Sequence, residues 1–308
     1  MTEPKYFYAR ETDADKGMQC DRKATICQGS NIPAELSRLS LPPALRLPLN
    51  RCSLPAEALA SLAYHLAPLA LELDGMLPLH RPLIEHLSAL DTPGARADLF
   101  HRYMTAHFLL DDAPALGLSE HSRLNRCRLD YLRLLRGWLF DADGREAAVL
   151  KAWVESRFGL LTGFHRGSIE YPDDESGRRR AFERARAAGL YGTGALEAQI
   201  DLLYMYTQHE LSRRHPGMRH LTLYRGYSGR GALIPLAPLP DGHSAVAINN
   251  LSSFSASRER ADEFGDYVIA CDVPLPKVLA FSHLIPGRLQ GEDEYLVIGG
   301  VMAVRQAA

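Results

Sequence analysis

The sequence predicts an α+β fold, a helical N-terminal part followed by a small mixed or antiparallel β-sheet core. Three observations carry this. Apolar residues recur three and four apart from about Leu54 to Arg214. Beyond His215-Pro-Gly217 they alternate in short runs rich in β-branched and aromatic residues. Helices and strands are segregated along the chain rather than interleaved as βαβ units. The chain of 308 residues then divides into an irregular segment over 1–50, a helical region over 51–192 and a helix-plus-sheet core over 193–308.

Residues 1 to about 50 mix Pro, Asp, Lys and Arg with weak periodicity, which predicts extended or irregular chain. Helices follow over Ala56–Leu73, Arg81–Leu90, Arg96–Leu110 and Ser119–Phe140. Leu99, Tyr103, Ala106 and Leu110 mark one face of the third, and Pro55 and Ser119 supply start signals. Asp141-Ala-Asp-Gly144 punctuates the next junction, and Glu146–Phe158 reads as another amphipathic helix. Tyr171 to Gly177 is a polar turn, and Arg178, Arg179 and Arg180 read as a solvated loop or helix face. Gly194–Arg214 is the last helix, and a sheet of so few residues needs it as a packing partner. Strands are predicted over Leu221–Tyr227, Ser244–Ile248, Leu251–Ser255, Tyr267–Val273, Val278–Phe281 and Tyr295–Val304, with a helical turn at Arg258–Phe264.

Global properties exclude more than they identify. A formal net charge of -2 advertises no nucleic-acid or anionic-membrane partner. The most apolar stretch, Leu59 to Leu73, is interrupted by His65 and Glu72 and falls short of the ~20 residues of a membrane span. The N-terminus has no apolar signal-peptide core. Five cysteines (Cys20, Cys27, Cys52, Cys127, Cys271), odd in number and without CxxC spacing, argue for unpaired thiols in a reducing cytoplasm.

Several standard signatures are missing. Gly192-Thr-Gly194 and Gly229-Arg-Gly231 lack the third glycine of a dinucleotide-binding turn, and no GxxxxGK[ST] loop is present. Tyr227-Ser228-Gly229 falls short of a nucleophile elbow. The twelve histidines include no HExxH, and His101 and His107, six apart, do not share a helix face, so no metal is expected.

Three segments of the β region remain. Leu221-Thr-Leu-Tyr-Arg225-Gly226-Tyr227 is an apolar strand carrying one arginine, a fixed guanidinium suited to phosphate, next to a backbone without a Cβ. Asn250-Leu-Ser252-Ser253-Phe254-Ser255-Ala-Ser257 sets small hydroxyls along a strand, able to orient a charged neighbour. Gln290-Gly291-Glu292-Asp293-Glu294-Tyr295 leads three carboxylates into an apolar strand, with Glu292 and Glu294 on one side and about 7 Å apart. Each alone has an ordinary reading: a polar strand face, a polar edge, a solvated turn.

Together these segments resemble the Arg–Ser–Glu signature of cholera-toxin-like ADP-ribosyltransferases, in the family's order. The passage NNLSSFSASRERADEFG (Asn249 to Gly265), the strand LYRGYS and the long helical N-terminal part resemble most the dinitrogen-reductase ADP-ribosyltransferases of nitrogen-fixing bacteria. The motifs cover roughly residues 221–300. The resemblance implies that Arg225 grips the phosphates of NAD⁺ and that the Gly226 backbone meets the nicotinamide amide. It implies that Ser253 and Ser255 are the first and last serines of the usual Ser-Thr-Ser, with Phe254 in place of threonine. Ala261 and Phe264 set that register, Phe264 being counted with the NAD⁺-binding positions, and a shift to Ser255 and Ser257 remains the alternative. Glu294 matches the catalytic glutamate, and Glu292 the upstream acid of arginine-modifying members.

The chemistry implied is transfer of ADP-ribose from NAD⁺, as co-substrate, to a protein arginine. Cleavage of the nicotinamide–ribose bond passes through an oxocarbenium-like ribose, and a fixed carboxylate at Glu294 would stabilise the developing charge. An arginine acceptor, protonated at neutral pH, needs a general base such as Glu292. By resemblance the target is the iron protein of nitrogenase, dinitrogen reductase, and a PII-type signalling protein is a further partner. The rivals are an arginine-specific transferase with another protein target, an NAD⁺ glycohydrolase, and a catalytically silent binding module.

Overall fold

The computed structural model describes residues 32–110, 130–190, 195–228, 233–289 and 293–307. The first part is helical: α1 (Ala34–Ser37), α2 (Ala56–Leu59), α3 (Leu62–Leu66), α4 (Met76–Leu79), α5 (Arg81–Ser88), α6 (Pro93–His107), α7 (Tyr131–Phe140), α8 (Arg145–Phe158), α9 (Arg178–Leu190) and α10 (Ala195–Arg214). The sheet follows: β1 (His220–Tyr227), β2 (Ile234–Pro238), β3 (His243–Ser255), β4 (Tyr267–Pro274), β5 (Val278–Phe281) and β6 (Glu294–Gln306), with the short helix α11 (Arg258–Asp262) between β3 and β4. This is the predicted α+β order, with every strand pairing antiparallel.

The helix expected over Ala56–Leu73 is two helices and an extended tail. Ser61 interrupts it, its side chain accepting from Tyr64 N as an N-cap. Ala67 precedes Pro68, which disfavours the α conformation, and α3 has ended one residue before it. The segment Arg178–Arg180 opens α9, and Arg179 is no free cation: its guanidinium pairs with Glu155 at 2.6 Å. Cys20, Cys27, Cys127, Ser119, Gly192-Thr-Gly194 and Gly229-Arg-Gly231 lie outside the described residues.

The strands run in the order β2-β3-β1-β4-β6-β5, with β3 also pairing β6 along most of its length. A bulge between Ile248 and Leu251 joins the two strands expected there into one. Strand β2 was not expected; it carries Pro235 and Pro238 and is an edge strand, where a missing N–H is tolerated. One apolar core runs from Leu41 through the helices to Val304. As the small sheet requires, α10 packs on β5: Thr207 Oγ1 donates to Leu279 O at 2.8 Å and Gln208 Nε2 to Val278 O at 2.8 Å. Among the described residues no helix is long and apolar enough to cross a membrane.

Candidate active site

The three sequence segments meet at one end of the sheet. Tyr224 of β1 stands opposite Ser255 of β3, and Ser255 stands opposite Glu294 of β6. With a strand period of two, Ser253 shares Ser255's face and lies diagonally across from Glu294. Arg225, Gly226, Ser253, Phe254, Ser255, Ala261, Phe264 and Glu294 all line a cleft of about 500 Å³. A second lobe of about 320 Å³ shares Arg225 and Ser253 and is lined by Asp143, Lys151, Asn249 and Asn250.

Arg225 is half-buried. Its Nη1 donates to Ser253 O at 2.6 Å, and its guanidinium carbon lies 5.9 Å from the centroid of the Phe254 ring. The threonine that Phe254 replaces could not supply this apolar platform. Arg225 Nε is buried without a hydrogen-bond partner among the described residues. Burial lowers the Arg225 pKa, opposed by the negative charge of Glu294.

Gly226 allows β1 to press against α11: a β-carbon there would lie 1.9 Å from Ala261 O. That contact fixes the carboxyl end of β1 relative to α11 and the following Phe264, which is 71% exposed at the cleft mouth.

Glu294 opens β6 and is clamped by Ser282, whose Oγ accepts from Glu294 N at 2.8 Å. Burial raises its pKa above the ordinary carboxylate range, against the lowering effects of hydrogen bonds from Ser253 and Trp138 and of Arg225's charge. The two alternative serine pairs occupy different surroundings. Ser253 Oγ sits at the Glu294 carboxylate. Ser257 Oγ instead caps α11, accepting from Arg260 N at 3.2 Å and donating to Glu259 at 2.9 Å. Ser255 Oγ is buried and accepts from Ser257 N at 3.1 Å. Glu292 lies outside the described residues.

The cleft has a wall that the motifs did not announce. Trp138, Leu139 and Phe140 at the end of α7 face the sheet across it. Trp138 Nε1 lies 2.9 Å from Ser253 Oγ and 3.2 Å from Glu294 Oε1. Behind it, the buried Lys151 donates to Asp143 at 2.8 Å and to Phe164 O at 3.2 Å. Burial lowers the Lys151 pKa, with Asp143 opposing. One signal was available: Trp138 is one of two tryptophans, on a helix with an apolar stripe, and a buried indole N–H needs an acceptor. Among the described residues no group of three His, Cys, Asp or Glu is placed to hold a metal ion.

The profile of the dinitrogenase reductase ADP-ribosyltransferase family matches residues 49–306. A protein of Rhodospirillum rubrum named NAD(+)–dinitrogen-reductase ADP-D-ribosyltransferase is 34% identical over 259 residues, spanning 83% of this chain and 93% of its own length. No solved structure gives a significant match. The match runs through the helical part as well as the sheet, so the chain belongs to the dinitrogenase reductase ADP-ribosyltransferase family.

Proposed function

We propose that this chain transfers ADP-ribose from NAD⁺ to an arginine of dinitrogen reductase and thereby inactivates it. The observation that carries the reading is the convergence of Arg225, Ser253 and Glu294 on one cleft. The name and coverage of the Rhodospirillum rubrum relative support the substrate.

Each residue has a role in this reading. Arg225, which lines the cleft, anchors the pyrophosphate. Gly226 offers its backbone to the nicotinamide amide, and Phe264 and Ser255 line the same cleft. Glu294 places a negative charge where the ribose becomes cationic, an effect worth about 3–4 kcal/mol for one preorganised group. Ser253 holds that carboxylate in a single rotamer. Glu292 orients the acceptor guanidinium and takes up its proton. The transferase core is 193–308, with the helical region 51–192 supplying the facing wall and residues 1–50 preceding it. A cytoplasmic location and a response to a PII-type protein belong to the same reading, on resemblance alone.

The test is incubation of the protein with labelled NAD⁺ and purified dinitrogen reductase, followed by mapping of the modified residue. Label on one arginine of that substrate supports the reading. Label appearing only on another protein replaces the target, and nicotinamide release without any labelled protein replaces the transfer by hydrolysis.

A further inference from the structure

We propose that Trp138 is a positioning residue for the transfer: its indole N–H, carried in by the helical part, holds Glu294 and Ser253 in the arrangement the reaction needs. This rests on the reading of Glu294 as the group that faces the reacting ribose.

The geometry is that of a shared donor. Nε1 lies 2.9 Å from Ser253 Oγ and 3.2 Å from Glu294 Oε1, and the side chain belongs to a residue only 2% exposed. Tryptophan has one polar hydrogen and no acceptor, so it favours the ionised carboxylate, the form needed opposite a developing cation. Ser253 restrains Glu294 from its own sheet, whereas Trp138 restrains it from across the cleft. A carboxylate held from both sides has little rotamer freedom left to lose at the transition state.

The indole can fix Glu294 only if α7 is itself fixed, and it is anchored along its length. Asp130 caps it, accepting from Leu132 N at 2.9 Å, and Tyr131 N donates to Gln199 Oε1 at 2.9 Å. Gly137, next to Trp138, lets α7 press on α8: a β-carbon there would fall 2.4 Å from Glu146 Cβ. Arg136 reaches the sheet side, donating to Arg288 O at 3.1 Å. The Lys151 ammonium sits 5.7 Å from the Trp138 ring centroid, tethered by Asp143, and a cation against the ring face polarises the N–H toward its acceptors. The sheet strands alone lack this donor, which gives the helical part a direct place in the chemistry.

Trp138→Phe keeps an aromatic ring and removes the N–H. The initial rate of labelling at saturating NAD⁺ should fall about tenfold, the scale of one hydrogen bond to a charged group. KM for NAD⁺ should stay within about twofold, since uniform binding is not what is lost. The acid limb of the pH–rate profile should move to higher pH, because a donor that favours the ionised carboxylate is gone. A tryptophan that merely filled space would lower Tm without moving that limb.

An independent readout uses protein that keeps its tryptophans. The second one, Trp153, donates to Asp201 at 2.7 Å, far from the cleft in its bonding, and serves as an internal control. In ¹⁵N–¹H spectra, Glu294→Gln should shift the Trp138 indole resonance and leave that of Trp153 in place. Wild-type rate and pH limb in Trp138→Phe, or an unmoved Trp138 resonance in Glu294→Gln, would overturn the proposal. Retained turnover in Glu294→Gln overturns instead the site reading beneath it, so the two failures are distinguishable.

Discussion

Gly226 and Ala261 meet backbone to backbone, so closely that a β-carbon on Gly226 would stand 1.9 Å from the Ala261 carbonyl oxygen. The neighbour is main chain within a capped helix, and it cannot swing aside as a flexible side chain would. The contact therefore sets the distance between β1, which carries Arg225, and α11, which leads to Phe264.

Gly226→Ala should accordingly destabilise the fold by about 1–3 kcal/mol, the usual cost of forcing one methyl into a packed site. Urea unfolding should show a lower midpoint with an unchanged slope. NAD⁺ turnover should fall further than the loss of folded protein explains, because β1 and α11 must separate around Arg225. A Gly226→Ala protein with wild-type midpoint would show that the approach is not this close.

Glu294 offers a second prediction, in which activity and stability move in opposite directions. Burial raises its pKa despite Ser253, Trp138 and Arg225. A carboxyl whose folded pKa lies above its unfolded value binds its proton more tightly in the native state. Its contribution to stability is therefore full below the unfolded pKa and is lost as pH rises through the folded one. At neutral pH the ionised side chain is a burden on the fold. Glu294→Gln should abolish labelling yet melt about 1–3 °C above wild type at pH 7, with the difference vanishing below about pH 4. Differential scanning calorimetry across that range checks the sign.

Lys277 predicts a pH dependence of a different origin. It is 1% exposed, its ammonium donates to Gly299 O at 2.7 Å, and burial lowers its pKa to about 7, with Cys271 opposing. The unfolded chain then holds the proton more tightly between about pH 7 and the ordinary lysine value of 10.5. Stability gains as pH rises through that window, by up to about 1.4 kcal/mol per pH unit, and the gain is lost as pH falls through the folded pKa. Lys277→Met has no such proton to lose. Its stability relative to wild type should therefore decline steadily from pH 7 to pH 10 in parallel denaturation curves, and a constant offset would refute the assignment.

The parts of the site legible in the sequence are those whose meaning is local. Arg225-Gly226, the serine strand and Glu294 each pair a polar group with the strand period that aims it, and the sheet needs only to bring three strand ends together. Trp138, Asp143 and Lys151 carried no comparable mark, because their place beside the cleft is decided by how α7 and α8 pack on a sheet far along the chain. The same division holds for the fold. The α10 helix was readable as the sheet's partner, and a bulge absorbs one extra residue to fuse Ser244–Ile248 with Leu251–Ser255. Strand β2 was hidden because only its edge position makes Pro235 and Pro238 acceptable, and edge position is a tertiary property.

In the proposed reading, Glu292 is the residue that separates transfer from hydrolysis. Cleavage of the nicotinamide–ribose bond asks for charge stabilisation near the ribose, the task proposed for Glu294, and water can complete that reaction without a second acid. An arginine acceptor is different, because its guanidinium is protonated at neutral pH and its lone pair is tied up in resonance. It must be held in the plane of a carboxylate and must surrender a proton as the new bond forms. Glu292→Gln keeps the shape and one acceptor oxygen but cannot take the proton. Labelling of dinitrogen reductase should therefore fall at least about a hundredfold, within the range of a lost general base, while release of nicotinamide from NAD⁺ falls by less than about threefold. Both rates are read from one incubation with NAD⁺ labelled on the adenylate side, by counting protein-bound label against free ADP-ribose. Equal loss of the two would place Glu292 in the cleavage step itself and assign proton removal from the acceptor to another group.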